Sequence, residues 1–468
     1  MHFSVRSRCV RPRLDPDLQG TRVNVSADSV FDTIAAPITG AAPAPVALIR
    51  VSGRDAWRIG ASIAGGALRG GEPVARRVYF VKIEKFDEGY LTFFAEGRSY
   101  TGEPSFEISL HGSPANMRRA LDLICSLGAR LARPGEFTER AFLNGRLDLT
   151  QAEAVAETVT AATEMQSRRA AALRRGALSQ ELQSLSNRTA AIIATIEASV
   201  EFTDEVGELD TAAAIQEIQV LRDDVLALAG AARAARIVRD GFRICLVGRT
   251  NVGKSSLLNR MLGCDRAIVT DVPGTTRDTI EEAVSVGGFR VVLIDTAGLR
   301  EAEDAVERMG MERTRLALEE ADEIWHVLEA PAGYTDADRA LGESLPRQPD
   351  LYVANKADIG HPPSPPPGAW VLLSALTGEG ITSLLDVLQG RLEGLVGEGL
   401  PLTNERHEAH LREAAEHLQA AADALLSEPP DLACVPLYAA LDAFGGITGA
   451  TAPDEVLERI FRDFCVGK

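Results

Sequence analysis

Strand-forming apolar residues are concentrated in three short runs in the first third of the chain. The runs are VALIRVSG (46–53), VYFVKI (78–83) and FEISLHG (106–112), and Gly and Pro break the chain between them. A helical pattern at 115–128 lies among these runs. The pattern predicts an α+β domain over residues 28–145.

The next segment, residues 146–240, has a helical pattern. It contains no proline, since none occurs between Pro134 and Pro273, and Ala, Glu, Gln, Leu and Arg dominate it. Apolar residues recur at helical spacing, as in Leu173, Leu178, Leu182 and Leu185. This composition predicts long helices. Residues 391–468 are predicted to be helical as well, with GGITGAT (445–451) as an internal turn.

Between the two helical segments, residues 241–390 alternate strand and helix. The predicted strands are RICLVG (243–248), RVVLID (290–295), IWHVL (324–328), LYVAN (351–355) and WVLLSA (370–375). Nearly unbroken apolar strands separated by helices indicate a parallel sheet covered on both faces. We therefore expect an α/β domain inserted into an all-α domain made of residues 146–240 and 391–468.

Composition narrows the class of protein. The 468 residues carry a net charge of −18, so contact with nucleic acid would need a local basic patch or a basic partner. No apolar run is long enough to span a membrane. The six cysteines lie far apart, which argues against a zinc site and fits a reducing cytoplasm. Residues 1–27 are interpreted as a disordered extension or a wrongly assigned start, with a transit peptide as the alternative.

A phosphate-binding loop follows the strand at 243–248. The residues Gly248 to Ser255 fit G-x-x-x-x-G-K-[ST], and the helix predicted at 256–262 comes next. Backbone N–H groups of such a loop surround phosphates at a helix N-terminus. Lys254 is expected to reach the β and γ phosphates, and the Ser255 hydroxyl to hold Mg²⁺.

The base is predicted from Asn355-Lys356-Ala357-Asp358. A carboxylate at Asp358 can accept hydrogen bonds from both N1–H and N2–H₂ of guanine, which adenine does not offer. Ser374 and Ala375 end the following strand, where a backbone N–H can meet the guanine O6. The nucleotide is therefore predicted to be GTP.

Two further segments complete the predicted site. Asp295-Thr296-Ala297-Gly298 ends a strand and is expected near Mg²⁺ and the γ-phosphate. The loop from Thr270 to Thr276 supplies Thr276 as the second hydroxyl on Mg²⁺. The predicted GTP contacts are Asn251, Val252, Gly253, Lys254, Ser255, Ser256, Thr270, Asp271, Val272, Pro273, Gly274, Thr275, Thr276, Asp295, Thr296, Ala297, Gly298, Asn355, Lys356, Asp358, Ser374 and Ala375.

The residue that orients the attacking water is not evident from this pattern. Leu299 follows Gly298, where many GTPases carry Gln, and leucine cannot orient a water. The residues alone leave four acidic candidates open. They are Glu301, Glu303, Asp304 and Glu307.

Four blocks resemble the tRNA-modification GTPase family called MnmE or TrmE, over nearly all of residues 28–468. They are ARPGEFTERAFLNGRLDLTQAEAV (132–155), GRTNVGKSSLLN (248–259), DTAGLREAEDAVERMG (295–310) and FCVGK (464–468). The resemblance implies a homodimer built on the N-terminal domains. It also implies an FAD-dependent partner (MnmG, also GidA), with which the family modifies carbon 5 of the wobble uridine of certain tRNAs.

The resemblance also implies ions and site residues. G-domain dimerisation in potassium would activate hydrolysis, with K⁺ held by Asn251, Thr270, Val272 and Thr275. Glu307 matches the glutamate that positions the attacking water. A reduced folate of the 5-formyltetrahydrofolate type would be bound at four positions, namely Arg50, Glu107, Arg146 and Lys468.

Three features of the sequence bear on the folate site that the resemblance implies. Arg146 stands where some members have lysine, and 37–53 lacks the Gly-Arg-Gly-Gly loop of many members. Cys465 is either a buried apolar residue or a thiol near the folate pocket.

Two other functions stay open on the sequence. A GTP-switched ribosome-assembly factor of the Era or Der type would share the P-loop asparagine, but such proteins usually append an RNA-binding domain. Here the downstream helices carry many acids and no basic stripe. A structural scaffold with a vestigial GTPase is the third reading.

Overall fold

The computed structural model describes residues 32–40, 43–84, 86–264, 281–295, 315–397, 403–462, 464 and 467. The described chain divides into two compact units. One contains the residues up to Arg146 together with Gly467, and the other contains 147–464.

The first unit contains a six-stranded sheet with helices packed on both of its faces. The strands lie in the order β3-β4-β5-β2-β1-β6. Their bounds are β1 Ile34–Pro37, β2 Ala44–Ser52, β3 Val78–Ile83, β4 Asp87–Phe94, β5 Ser105–Gly112 and β6 Arg130–Leu131. The helices are α1 Ala56–Ala64, α2 Pro114–Ser126 and α3 Glu136–Leu143.

Alternation of side chains explains how this sheet is packed. In β3 the residues alternate strictly between exposed and buried, so one face joins the core and the other meets solvent. Helix α1 packs closely on the buried face, since a Cβ on Gly60 would lie 2.7 Å from the Phe93 ring. The predicted α+β domain is confirmed, but the sequence analysis did not predict β1, β4, β6, α1 and α3.

The second unit contains a helical bundle. Its helices are α4 Leu149–Thr160, α5 Glu164–Arg174, α6 Ala177–Glu201, α7 Thr203–Val206, α8 Thr211–Gly230, α9 Ala232–Asp240, α14 Glu405–Ser427, α15 Cys434–Thr448 and α16 Asp454–Arg462. One apolar core joins residues 154–229 with residues 411–447. Helices before and after the α/β region therefore pack together, as the insertion model of the sequence requires.

The α/β region of the second unit contains a six-stranded sheet in the order β12-β11-β10-β7-β9-β8. Its strands are β7 Phe242–Val247, β8 Glu281–Val286, β9 Phe289–Asp295, β10 Glu323–Glu329, β11 Leu351–Asn355 and β12 Trp370–Leu372. Its helices are α10 Lys254–Cys264, α11 (315–320), α12 Asp336–Glu343 and α13 Ile381–Val396.

Three sequence expectations differ from this fold. The sheet is parallel except for β8, which pairs antiparallel with β9 at the edge. Helix α13 continues past 390, and its buried Leu392 packs in the α/β core. The expected turn at 445–451 begins only at Gly449, which has φ 89°, because α15 extends through Thr448. Gly446 allows this extension, since a Cβ there would lie 2.8 Å from the His410 ring.

Candidate functional site

The glycine-rich loop lies between β7 and α10, at the carboxyl edge of the parallel strands. Gly248 has φ 153° and a Cβ there would approach the Val327 carbonyl oxygen to 2.3 Å. Gly253 has φ 96°, and its added Cβ would lie 2.3 Å from the side-chain nitrogen of Asn355. Both glycines are therefore required by close approach of backbone and neighbour. Asn251, between them, has φ 67° and is exposed.

Lys254 folds back over this loop. Its Nζ donates to the carbonyl oxygens of Gly248 and Arg249, each at 2.9 Å. The side chain is buried, with 6% of its surface exposed. The ammonium therefore lies over a loop that leads into the N-terminus of α10. A positive charge and a helix N-terminus both favour the binding of an anion such as phosphate.

The predicted magnesium residues that the structure describes are adjacent. Ser255 Oγ donates to Asp295 Oδ2 over 2.8 Å. Asp295 ends β9 and is buried, while Ser255 lies in the first turn of α10 and is exposed. A hydroxyl and a carboxylate at this edge are the hard oxygen donors that Mg²⁺ prefers. The residues present therefore fit the ion.

The side chain of Asn355 links three segments of the site. Its side-chain Nδ2 donates to the Val252 carbonyl oxygen over 2.9 Å. Its Oδ1 accepts from the backbone N–H of Lys356 (2.8 Å) and of Ala375 (2.9 Å). Only 2% of Asn355 is exposed, so this predicted GTP residue links the glycine-rich loop to the segments predicted to bind the base from inside the protein.

The segments predicted to bind the base contain one exposed carboxylate. Asp358 is exposed and accepts a hydrogen bond from the hydroxyl of Ser374, which is fully buried. Lys356 has φ 68° and its Nζ lies 3.1 Å from Glu329 Oε1. The structure brings Asn251 to Ser256, Asp295, Asn355 to Asp358 and Ser374-Ala375 to one edge of the sheet.

The rest of the predicted nucleotide site lies outside the described residues. This applies to Thr270, Asp271, Val272, Pro273, Gly274, Thr275, Thr276, Thr296, Ala297, Gly298, Leu299, Glu301, Glu303, Asp304 and Glu307.

One link to the phosphate loop was missed by sequence reasoning. Arg249 Nε donates to Asp338 Oδ1 over 2.8 Å, and Asp338 is completely buried at the start of α12. Burial would raise the Asp338 pKa, but hydrogen bonds from Thr335 and the charge of Arg249 lower it. The capping pattern Thr335-x-x-Asp338 was the available signal, since such pairs begin helices.

A buried histidine lies beside this link. His326 Nε2 is 3.8 Å from Asp338 Oδ1, too far for a direct hydrogen bond. The ring stacks on Tyr352 with centroids 5.6 Å apart. Burial lowers the His326 pKa, so the ring is neutral at physiological pH.

The first unit contains the predicted folate residues that the structure describes. Arg50 and Glu107 are cross-strand partners on β2 and β5, joined by an ion pair of 2.8 Å. The Arg50 guanidinium lies 4.7 Å from the centre of the Tyr100 ring. Arg146 is exposed and packs near Gly102, where an added Cβ would lie 3.2 Å from its Cγ. Arg50 and Arg146 thus both lie against the segment 100–102, and Glu107 is held beside it through its ion pair with Arg50.

The end of the chain bears on the same unit. Gly467 has φ 96°, and an added Cβ would lie 2.0 Å from the Pro37 carbonyl oxygen. Pro37 follows Ala36, which is the register partner of Arg50. Lys468, Cys465 and residues 41–42 of the altered loop lie outside the described residues.

A buried charge network in the same unit was also missed. Glu136 accepts hydrogen bonds from Arg130 and Arg140, and Arg140 also pairs with Asp32 and Glu103. Burial would raise the Glu136 pKa, but the hydrogen bonds outweigh it and lower the pKa to about 2. Glu136 and Arg140 belong to the block at 132–155. The hydrogen bonds of Glu136 to Arg130 thus hold α3 against β6.

The described helices include none with both the length and the apolar character needed to cross a membrane.

Comparison with known proteins adds to this geometry. Residues 33–146 match the family described as "GTP-binding protein TrmE N-terminus", and residues 149–465 match "MnmE helical domain". A relative named tRNA modification GTPase MnmE, from Moorella thermoacetica, is 38% identical over 93% of this chain and 99% of its own length. One from Aquifex aeolicus is 39% identical over 84% of this chain and 89% of its own. The structure of Aquifex aeolicus Era bound to GDP and AlF4⁻ is 26% identical, covering 37% of this chain and 66% of its own, with a TM-score of 0.26.

Proposed function

The chain belongs to the MnmE family of tRNA modification GTPases and is a GTP hydrolase, and on that premise we propose what its GTP cycle drives. Together with an FAD-dependent partner (MnmG), this protein modifies carbon 5 of the wobble uridine of certain tRNAs, in the cytoplasm. One observation supports this reading above all. The likeness to tRNA modification GTPases extends over 93% of the chain, well beyond the G domain that many GTPases share.

Hydrolysis depends on groups that meet the phosphates. Lys254 binds the β and γ phosphates, and Ser255 with Thr276 holds Mg²⁺. K⁺ is held by Asn251 with Thr270, Val272 and Thr275. These cations neutralise charge on the phosphates, the role that an arginine finger has in other GTPases. The left-handed backbone and exposed side chain of Asn251 support its part in this set.

Glu307 orients the attacking water, because Leu299 has no polar atom that could do so. Dimerisation of G domains in potassium completes this arrangement.

The N-terminal domain is proposed to form the homodimer and to bind a reduced folate of the 5-formyltetrahydrofolate type. Arg50, Glu107, Arg146 and Lys468 would contact it. The contacts of Arg50 and Arg146 with the segment 100–102 support this site, as do the Arg50–Glu107 ion pair and Gly467 beside Pro37.

GTP turnover by the full-length protein tests the hydrolytic part. Turnover should be faster in KCl than in NaCl at equal ionic strength. Glu307→Ala should lower kcat by about 100-fold or more, as removal of a water-activating group does. Glu303→Ala is the matched control, from the same segment, and should keep wild-type turnover. Equal rates in both salts, or an unchanged kcat in Glu307→Ala, would contradict these assignments.

The alternative is a GTP-switched ribosome-assembly factor of the Era or Der type. It predicts cosedimentation with ribosomal subunits in GTP but not in GDP. The proposed function predicts no such difference, and predicts that loss of the gene leaves the wobble uridine unmodified.

A further inference from the structure

One end of the helical bundle exposes a group of large apolar side chains. They are between 44% and 73% exposed. We refer to them as the distal surface, which consists of Val200, Phe202, Leu426, Leu432, Val435 and Tyr438.

These residues lie together, far from α4. Helix α6 begins beside α4, where Ser179 bonds Thr150, and its 25 residues extend about 37 Å from there. Helix α14 also begins beside α4, where Arg406 pairs with Glu153 over 3.0 Å. The ends of both helices, near Phe202 and Leu426, therefore reach the opposite end of the bundle.

Helix α15 runs back from that end. Arg406 donates to the carbonyl oxygens of Gly446 and Ile447 at the end of α15, which places the start of α15 far from α4. The Tyr438 hydroxyl donates to Glu197 of α6 over 2.9 Å and joins the two helices at the distal surface. The exposed apolar residues of α6, α14 and α15 therefore lie at the same end of the bundle.

The border of this surface is acidic. Residues 197–210 contain six acidic residues and residues 423–431 contain three, and neither stretch contains Lys or Arg. The exposed acids nearest the apolar residues are Glu197, Glu201, Asp204, Glu205, Glu428 and Asp431.

This combination limits what can bind. A polyanion such as tRNA would be repelled by the border. A second copy of the chain, meeting it through a two-fold axis, would oppose acids to acids. An apolar centre with a charged border is the usual arrangement of a protein interface, and the complementary partner is basic.

We propose that the distal surface is the docking site of the FAD-dependent partner, through a surface on that partner with an apolar centre and a basic border. The inference rests on the proposed function. The partner must supply positive charge for the tRNA backbone, since the net charge of this chain is −18. The negative charge of the border attracts a basic partner and repels tRNA.

Titration calorimetry with the full-length protein and the purified FAD-dependent enzyme of the same organism tests the proposal. The double variant Leu426→Arg/Val435→Arg should weaken binding by about tenfold or more, as expected for charge placed at an interface centre. Leu226→Arg is the matched control, because Leu226 is a 40% exposed leucine in the later half of α8. It should bind the partner like wild type.

A second variant tests charge without touching apolar packing. Glu428→Lys/Asp431→Lys should weaken binding and reduce its dependence on salt. GTP turnover without the partner should be unchanged in all variants. If wild type binds and both double variants bind equally well, the docking site is wrong although the proposed function stands. If wild type does not bind the enzyme at all, the proposed function fails with it.

Discussion

Replacing Asn355 with alanine should separate the phosphate loop from the base-binding segments. The substitution removes one donor and one acceptor that together make three hydrogen bonds, to Val252, Lys356 and Ala375. Each such bond contributes roughly 0.5–1.5 kcal/mol net, so the loss is about 3 kcal/mol. If this falls wholly on the organised site, nucleotide affinity drops by about a hundredfold, since about 1.4 kcal/mol is tenfold.

Asparagine to aspartate is a sharper variant at the same position. Asn355→Asp keeps the acceptor but places a carboxylate oxygen where Nδ2 now donates to the Val252 carbonyl oxygen. Two acceptors would then face each other in a buried site, and a buried charge would lack a partner. We expect this nearly isosteric change to be at least as harmful as Asn355→Ala.

The assay is the equilibrium Kd for a fluorescent GDP analogue, with thermal unfolding measured in the same buffer. Asn187→Ala is the control, because Asn187 is exposed on α6 and bonds only Gln183 among the contacts described. It should leave the Kd unchanged. A Kd for Asn355→Ala within about threefold of wild type would refute the reasoning, since three buried bonds are worth more than that.

Three further predictions concern charge. Glu136 has a pKa of about 2 in the fold against 4.5 unfolded, so it stabilises the fold above pH 4.5 and this is lost as the pH falls toward 2. The calorimetric stability of wild type should therefore drop by about 3 kcal/mol more than that of Glu136→Gln over this range, and equal slopes would contradict the network. Asp338→Asn should raise the KM for GTP severalfold with little change in fold, because Arg249 loses its ion pair; an unchanged KM would show that the link does not position the loop. Asp358→Asn should lower the preference for GTP and favour xanthosine triphosphate, whose base offers an acceptor in place of the guanine amino group; retained discrimination in a competition assay would place the base elsewhere.

Several elements of the fold were evident from the sequence because local pattern and burial agree there. The strands predicted at 78–83 and 351–355 match β3 and β11. Edge strand β8 was missed, because its sequence EEAVSV shows neither an unbroken apolar run nor a regular alternation of polar and apolar residues. The last turn of α15 was missed because two glycines suggest a break, whereas close packing of Gly445 against Thr451 and of Gly446 against His410 favours glycine inside the helix.

Some residues of the site were likewise evident from the sequence, and others were not. Lys254, Ser255 and Asp358 were predicted because they belong to short motifs with fixed spacing. Arg249 and Asp338 were missed because they lie 89 positions apart and only tertiary packing brings them together, and His326 was missed because its place beside them also follows from packing. The buried role of Asn355 also follows from packing, which a motif does not reveal.

Mass spectrometry of nucleosides from total tRNA tests the central claim most directly. A strain lacking this gene would carry wild type, Lys254→Ala or Asn187→Ala on a plasmid. The account predicts that the 5-substituted wobble uridine disappears in the deletion, returns with wild type and Asn187→Ala, and stays absent with Lys254→Ala. A modification that is unchanged in the deletion, or that Lys254→Ala restores, would contradict the claim that GTP hydrolysis at this site drives it.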